Sequence, residues 1–140
     1  MERRPHIMVI DDDRDLLEVV SHALRLKGYT VSLTSDSTSA LALMDECQPD
    51  LVLLDIVMPK IDGFQLLYLI RQRSTVPVIM LSVIGEVTWL EKALRLGADD
   101  YIKKPFGIRV LTARIEAKLR RAQSGGAGYR EGRDFVVWAQ

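Results

Sequence analysis

The chain has one cysteine, two histidines, no net charge and no apolar run approaching the ~20 residues of a membrane span. Each shortage excludes something. Cys47 alone cannot close an internal disulfide, and with no second Cys or nearby His at ligand spacing it reads as an inert residue at a helix end. His6 and His22 are too isolated for a metal site or a proton relay and read as packed or solvated side chains. Lys+Arg and Asp+Glu both number 19, so no overall basic field draws the chain to nucleic acid or anionic lipid. Any DNA contact would come from a domain absent from this sequence, and no membrane partner is expected. The opening Met1-Glu2-Arg3-Arg4-Pro5 leads through only a short apolar stretch to a run of acids, which is not a signal peptide and points to the cytoplasm. At 140 residues there is room for one domain with a real core and a short appendage.

What is present is a repeated alternation. Short strand-like segments, Ile7 to Ile10, Tyr29 to Leu33, Leu51 to Leu54, Val78 to Leu81 and Asp100 to Lys103, are separated by longer stretches with apolar residues at helical spacing, such as Leu16, Leu17, Val20 and Leu24. Gly28, Pro49, Pro77 and Gly97 fall at the expected boundaries. Five strand–helix units in series imply right-handed crossovers and a parallel sheet covered on both faces, an open, doubly wound α/β sandwich. The domain is expected over residues 1–122. Residues 123–140 then begin as a glycine-rich linker around Ser124-Gly125-Gly126-Ala127-Gly128. They end in Asp134-Phe135-Val136-Val137-Trp138, either the first strand of a further output domain or a tail that docks on this one.

A parallel sheet gathers the carboxyl ends of its strands on one edge. Here those ends carry Asp11-Asp12-Asp13, Asp55, Ser82 and Lys103-Lys104-Pro105. Crowded carboxylates repel unless a hard cation neutralises them, and acids without His or Cys suit Mg²⁺. A carboxylate beside Mg²⁺ can act as nucleophile toward a phosphoryl group, with Lys104 and Ser82 placed to hold its oxygens. Taken singly, each residue has a plain alternative: an Asp at a strand end caps a helix, a lysine sits on the surface, a serine turns the chain. Four strand ends supplying complementary groups in one register are hard to explain that way.

The motifs Val9-Ile10-Asp11-Asp12-Asp13, Leu54-Asp55-Ile56-Val57-Met58-Pro59, Asp62-Gly63, Leu81-Ser82 and Lys104-Pro105-Phe106 resemble the receiver domain of two-component response regulators over roughly residues 5–122. The resemblance implies a (βα)5 flavodoxin-like sandwich with strand order 2-1-3-4-5. It implies Asp55 as acceptor of a phosphoryl group from a sensor histidine kinase. Mg²⁺ would be held by Asp11, Asp12, Asp55 and the backbone carbonyl of Val57, and Lys104 and Ser82 would contact the phosphoryl group. A switch pair would be formed by Ser82 and Tyr101, and the bond before Pro105 would be cis. The protein would be a signalling switch rather than a turnover enzyme.

Ala93 to Tyr101, with Arg114 and Arg120-Arg121, looks like the winged-helix DNA-binding class. In that class the fourth helix, fifth strand and fifth helix form a homodimer face, here offering Lys92, Asp99, Asp100 and Arg114. Val110 stands where that class usually has Glu, so one ion pair is expected to be missing. Val83 stands where the family has Ala or Gly, which motivates a second reading, a phosphorylation-independent scaffold. Val57 and Ile84 add apolar bulk along the path of an attacking water, so slow loss of the phosphoryl group is expected. A third reading is a haloacid dehalogenase-type phosphohydrolase using Asp11, because Asp11-Asp12-Asp13 contains an Asp-x-Asp spacing.

Overall fold

In a computed structural model, which describes residues 3–124 and 136–137, the strands are β1 (His6–Ile10), β2 (Thr30–Thr34), β3 (Leu51–Asp55), β4 (Val78–Ser82) and β5 (Asp100–Lys103). They alternate with helices α1 (Arg14–Leu26), α2 (Ala40–Cys47), α3 (Gly63–Arg71), α4 (Val87–Arg95) and α5 (Ile108–Ser124). A one-turn 3-10 helix, Ser37–Ser39, precedes α2. All strand pairs are parallel and their order is 2-1-3-4-5, as the family pattern implied. A two-residue β6 (Val136–Val137) lies beyond β2, opposite Leu33 and Thr34. The described residues of that segment thus stand at the edge of this sheet. The glycine-rich linker expected before it lies outside the described residues from 125 onward, and α5 continues to Ser124, two residues past the expected domain end.

Strand residues point alternately to two apolar layers, which is why the three central strands, β1, β3 and β4, are apolar on both faces. Ile7, Val9, Leu51 and Leu53 face α1 and α5 through Leu17, Val20, Leu24, Leu111, Ile115 and Leu119. Met8, Ile10, Val52 and Leu54 face α2, α3 and α4 through Leu43, Leu66, Leu67, Ile70 and Ala93. Each fully buried large aliphatic side chain contributes about 1.5–3 kcal/mol. Two helices start on local signals: the Asp13 carboxylate accepts the Leu16 N–H (3.1 Å), and Asp62 and Gln65 form a reciprocal capping box at α3. Helix α1 ends before Gly28, whose φ of 94° suits glycine.

The two histidine and cysteine expectations resolve at the opposite end of the sheet from the acids. His6 is buried, its ring between Thr30 Oγ1 (3.0 Å) and Ser32 Oγ (2.6 Å). Cys47 closes α2 in a buried position, and desolvation pushes its thiol up to about 11, so it stays an unreactive thiol at neutral pH.

Candidate functional site

Strands β1, β3, β4 and β5 end at one edge, β1 delivering Asp11 and Asp12 and each of the others one group. The Asp11 N–H donates to the Thr34 carbonyl (3.2 Å), which fixes the chain as it leaves β1. Asp11 is fully buried, and its Oδ1 accepts the Asp13 N–H (3.0 Å). Asp55 is the last residue of β3 and is only 4% exposed, while Asp12 faces solvent. Ligand atoms of Asp11, Asp12 and Asp55 lie within 4.8 Å of one another. Lys104, just after β5, places Nζ 3.4 Å from Asp55 Oδ1 and 2.6 Å from Asp11 Oδ2. The second contact is an ion pair without hydrogen-bond alignment, so Asp11 Oδ2 is a buried oxygen with no hydrogen bond.

These neighbours set the charges. Burial, then the Asp11 charge, pushes Asp55 up to about 7 against the pull of Lys104. Asp11 is also raised, by burial first, although Lys104 opposes it. Burial by itself would lower Lys104, but Asp11 and Asp55 together raise it, so it stays an ammonium. One ammonium does not neutralise three carboxylates. The donor set is all oxygen, partly solvated at Asp12, and its buried Asp11 Oδ2 meets only the Lys104 ammonium, which fits a small hard dication such as Mg²⁺. Asp11, Asp12 and Asp55 are the side chains that would hold it.

Asp55 is supported from below by a close approach. A Cβ at Gly63 would sit 2.3 Å from the Asp55 carbonyl oxygen and 2.5 Å from Ile56 Cα, so only glycine lets α3 start there. The Gly63 N–H then donates to the Ile56 carbonyl at 2.7 Å. That explains Asp62-Gly63 as a pair: the acid caps α3 and the glycine packs it against the end of β3.

Ser82 is buried at the end of β4, and its Oγ accepts the Ile84 N–H (3.1 Å), leaving its O–H to donate elsewhere. Its carbonyl accepts the Lys104 N–H (2.7 Å), and the Lys104–Pro105 bond is cis. Tyr101 Oη donates to the Ile84 carbonyl. Ile84 thus ties Ser82 and Tyr101 through the two sides of one residue. Val57 and Val83, the bulky departures, are 51% and 64% exposed, so in this arrangement neither side chain closes the acid cluster.

The four residues of the expected dimer face lie on α4, on α5, at the start of β5 and just before it, and are engaged within the chain. Arg114 pairs with Asp100 (2.7 Å), and Asp99 accepts Arg71 Nη2 (2.9 Å) and the Val78 N–H (2.8 Å). Lys92 Nζ sits 4.5 Å over the Phe64 ring, which also meets Trp89 at 5.3 Å. Around them Val87, Leu94 and Val110 are well exposed.

Sequence reasoning missed Arg71. It donates to the carbonyls of Gly97 (3.0 Å), Ser74 (3.3 Å) and Val76 (2.6 Å), tying the end of α3 to the turn between α4 and β5. An arginine in the last turn of a helix, followed by a loop, was the available signal.

The family model described as "Response regulator receiver domain" matches residues 7–116. Among curated proteins, a "Probable transcriptional regulator ycf27" of Guillardia theta is 42% identical over 86% of this chain and 48% of its own length. The "DNA-binding response regulator MtrA" of Mycobacterium tuberculosis is 41% identical over 84% of this chain and 52% of its own. The chain thus spans about half the length of the curated relatives it matches. Among solved structures, a two-component response regulator from Clostridium difficile superposes with TM-score 0.83 at 31% identity, over 85% of this chain and 98% of that one. A CheY-like receiver domain protein from Methanospirillum hungatei gives TM-score 0.83 at 29% identity, over 88% and 99%. Among the described residues no helix is long and apolar enough to cross a membrane.

Proposed function

From the premise that the chain belongs to the response regulator receiver family, we propose that Asp55 accepts a phosphoryl group from a sensor kinase histidine and that its esterification switches the β4–α4 region. Membership sets aside the haloacid dehalogenase alternative. A fully buried Asp11 held by Lys104 also argues against Asp11 as the nucleophile.

The carrying observation is the environment of Asp55, a recessed carboxylate 3.4 Å from an ammonium and within reach of two further acids. A carboxylate held near 7 attacks only when ionised, and Lys104 together with a dication favours that form. An Asp55 oxygen forms the new bond to phosphorus. The P–N bond to the donor histidine breaks, and its electron pair stays on the imidazole nitrogen, which takes a proton from solvent. Bound Mg²⁺ would supply charge neutralisation of the phosphoryl oxygens. Asp11, Asp12 and the Val57 carbonyl would hold it, Lys104 would pair with one phosphoryl oxygen, and the free O–H of Ser82 would donate to another.

Turning Ser82 toward the phosphoryl group withdraws its Oγ from the Ile84 N–H, and the same residue carries the Tyr101 contact. The two therefore move together, a shift between two arrangements rather than a graded change. We take α4, β5 and α5 as the face that reads the shift, by homodimerisation in which the Asp100–Arg114 pair exchanges its intrachain partner for one across the interface. Exposed Val87, Leu94 and Val110 supply apolar area there. With relatives described as transcriptional regulators and DNA-binding response regulators, the output we favour is transcription, through residues beyond this domain.

Intact-mass measurement after incubation with acetyl phosphate and Mg²⁺ tests this. One added phosphate is expected in wild type and none in Asp55→Asn. Unmodified wild type, or modification that survives the substitution, refutes it.

A further inference from the structure

Ser37 contributes nothing to the acid cluster, yet it holds the loop that follows the acceptor strand. Its buried hydroxyl donates to the Pro59 carbonyl (3.0 Å) and accepts the Ile61 N–H (3.3 Å). Both bonds bracket Lys60, whose φ of 70° lies in the left-handed region that a non-glycine residue seldom occupies. Among the described residues these two are the hydrogen bonds that hold residues 57–61. The neighbouring fixed points lie outside that stretch, at the Gly63 N–H on the Ile56 carbonyl and at the Asp62 cap of α3.

Ser37 is itself held in place. The Thr34 hydroxyl accepts the Asp36 N–H (3.0 Å), and the Asp36 carboxylate accepts the Thr38 N–H (3.0 Å), the Thr38 hydroxyl (2.7 Å) and the Ser39 hydroxyl (3.0 Å). The same segment begins at Thr34, whose carbonyl fixes the Asp11 N–H. Residues 34–39 therefore brace the site twice, at the acid ending β1 and at the loop after β3.

The two braces are unequal in importance. Asp11 and Asp55 follow or end paired strands and are positioned by the sheet, whereas Val57 belongs to the loop alone. We infer that Ser37 is a positioning residue for divalent-cation binding: by pinning Pro59 and Ile61 it presents the Val57 carbonyl alongside the carboxylates. The inference rests on the metal-assisted reading above. A serine that merely completes a turn would affect folding without affecting the cation, and the two roles separate experimentally.

Ser37→Ala and Ser37→Thr are compared with wild type in four measurements on the 140-residue chain: Mg²⁺ titration calorimetry on unphosphorylated protein, exchange of the Ile61 amide, urea unfolding, and acetyl phosphate labelling at rising Mg²⁺. Ser37→Ala is expected to weaken Mg²⁺ binding roughly tenfold, the low end for outer partners of metal ligands, and to speed exchange at Ile61. Labelling recovers at saturating Mg²⁺, and Ser37→Thr, which keeps the hydroxyl, restores the affinity. Unchanged Mg²⁺ affinity in a Ser37→Ala protein whose Ile61 amide exchanges faster overturns the inference. So does a labelling defect that high Mg²⁺ leaves in place. If Ser37→Ala does not fold, Ser37→Cys, a weaker donor of similar size, carries the same expectation in smaller measure. Wild type that binds no Mg²⁺ or takes no phosphate overturns the functional reading instead, so the two failures are distinct.

Discussion

Ionising Asp55 in the folded, metal-free protein should cost stability, and Asp55→Asn should remove that cost. The carboxyl stands at about 7 in the folded chain against an ordinary value of 3.8, chiefly through burial. The folded state therefore holds a proton that the unfolded state has released. The stabilisation associated with this group is complete below about pH 4 and is lost as pH rises through about 7. Three pKa units correspond to ~4 kcal/mol. Lys104 lies 2.6 Å from Asp11 and 3.4 Å from Asp55 and can follow the negative charge, so about 2 kcal/mol is the measurable part. Urea unfolding in EDTA at pH 5.5 and pH 8 checks it. Wild type should lose stability across that interval, and Asp55→Asn should be the more stable protein at pH 8, with a shallower slope because Asp11, also raised, still titrates. Adding Mg²⁺ at pH 8 should narrow the gap by binding the folded wild type alone. Equal stability of the two proteins at pH 8, with parallel pH profiles, would refute the reasoning.

Gly63→Ala forces a Cβ to 2.3 Å from the Asp55 carbonyl and displaces α3, so a loss of ~3 kcal/mol or more is expected in urea unfolding, against ~1 kcal/mol for the cap variant Asp62→Ala. Arg71→Ala leaves three carbonyls and Asp99 without their shared donor and should cost ~2–4 kcal/mol, with Arg71→Lys failing to restore it because an ammonium cannot span the same partners. Val57→Asn, a polar side chain at a half-exposed position beside the acceptor, should shorten the lifetime of phosphorylated Asp55 as followed by phosphate release; an unchanged lifetime would remove the role given to apolar bulk at Val57 and Ile84.

The central strands β1, β3 and β4 were legible because each is apolar on both faces, and only a sheet covered on both sides uses Leu51 to Leu54 that way. The site was legible because a parallel sheet converts sequence register into proximity: Asp11, Asp55, Ser82 and Lys104 are distant in the chain and each follows or ends a strand. What remained hidden depends on side chains reaching across loops. Nothing in the residues around Ser37 announces Pro59 as its partner, and the place of Arg71 in the last turn of α3 signals carbonyl capping without naming Gly97 or Val76 as its partners. In α4 Leu90, Ala93 and Leu94 stand at helical spacing, yet Ala93 alone is buried and Leu94 faces outward. Spacing identifies a helix with an apolar stripe but not how deeply it seats, since that depends on the area its neighbours offer. The pairing of Val136–Val137 was hidden for a related reason: a short apolar segment pairs with whatever strand edge is near, and β2 provides one.

Helix α3 begins against the main chain of Asp55, the proposed acceptor, with no side chain between them. That would leave Asp55 no room to recoil if a phosphoryl group added bulk in front of it. On the proposed reading the added volume is taken up on the side of β4 and α4, where Val83 and Val87 are open to solvent and α4 rests on buried Ala93 and half-buried Trp89. A rigid anvil behind Asp55 and a shallowly seated helix ahead of it would give the molecule a built-in direction of response.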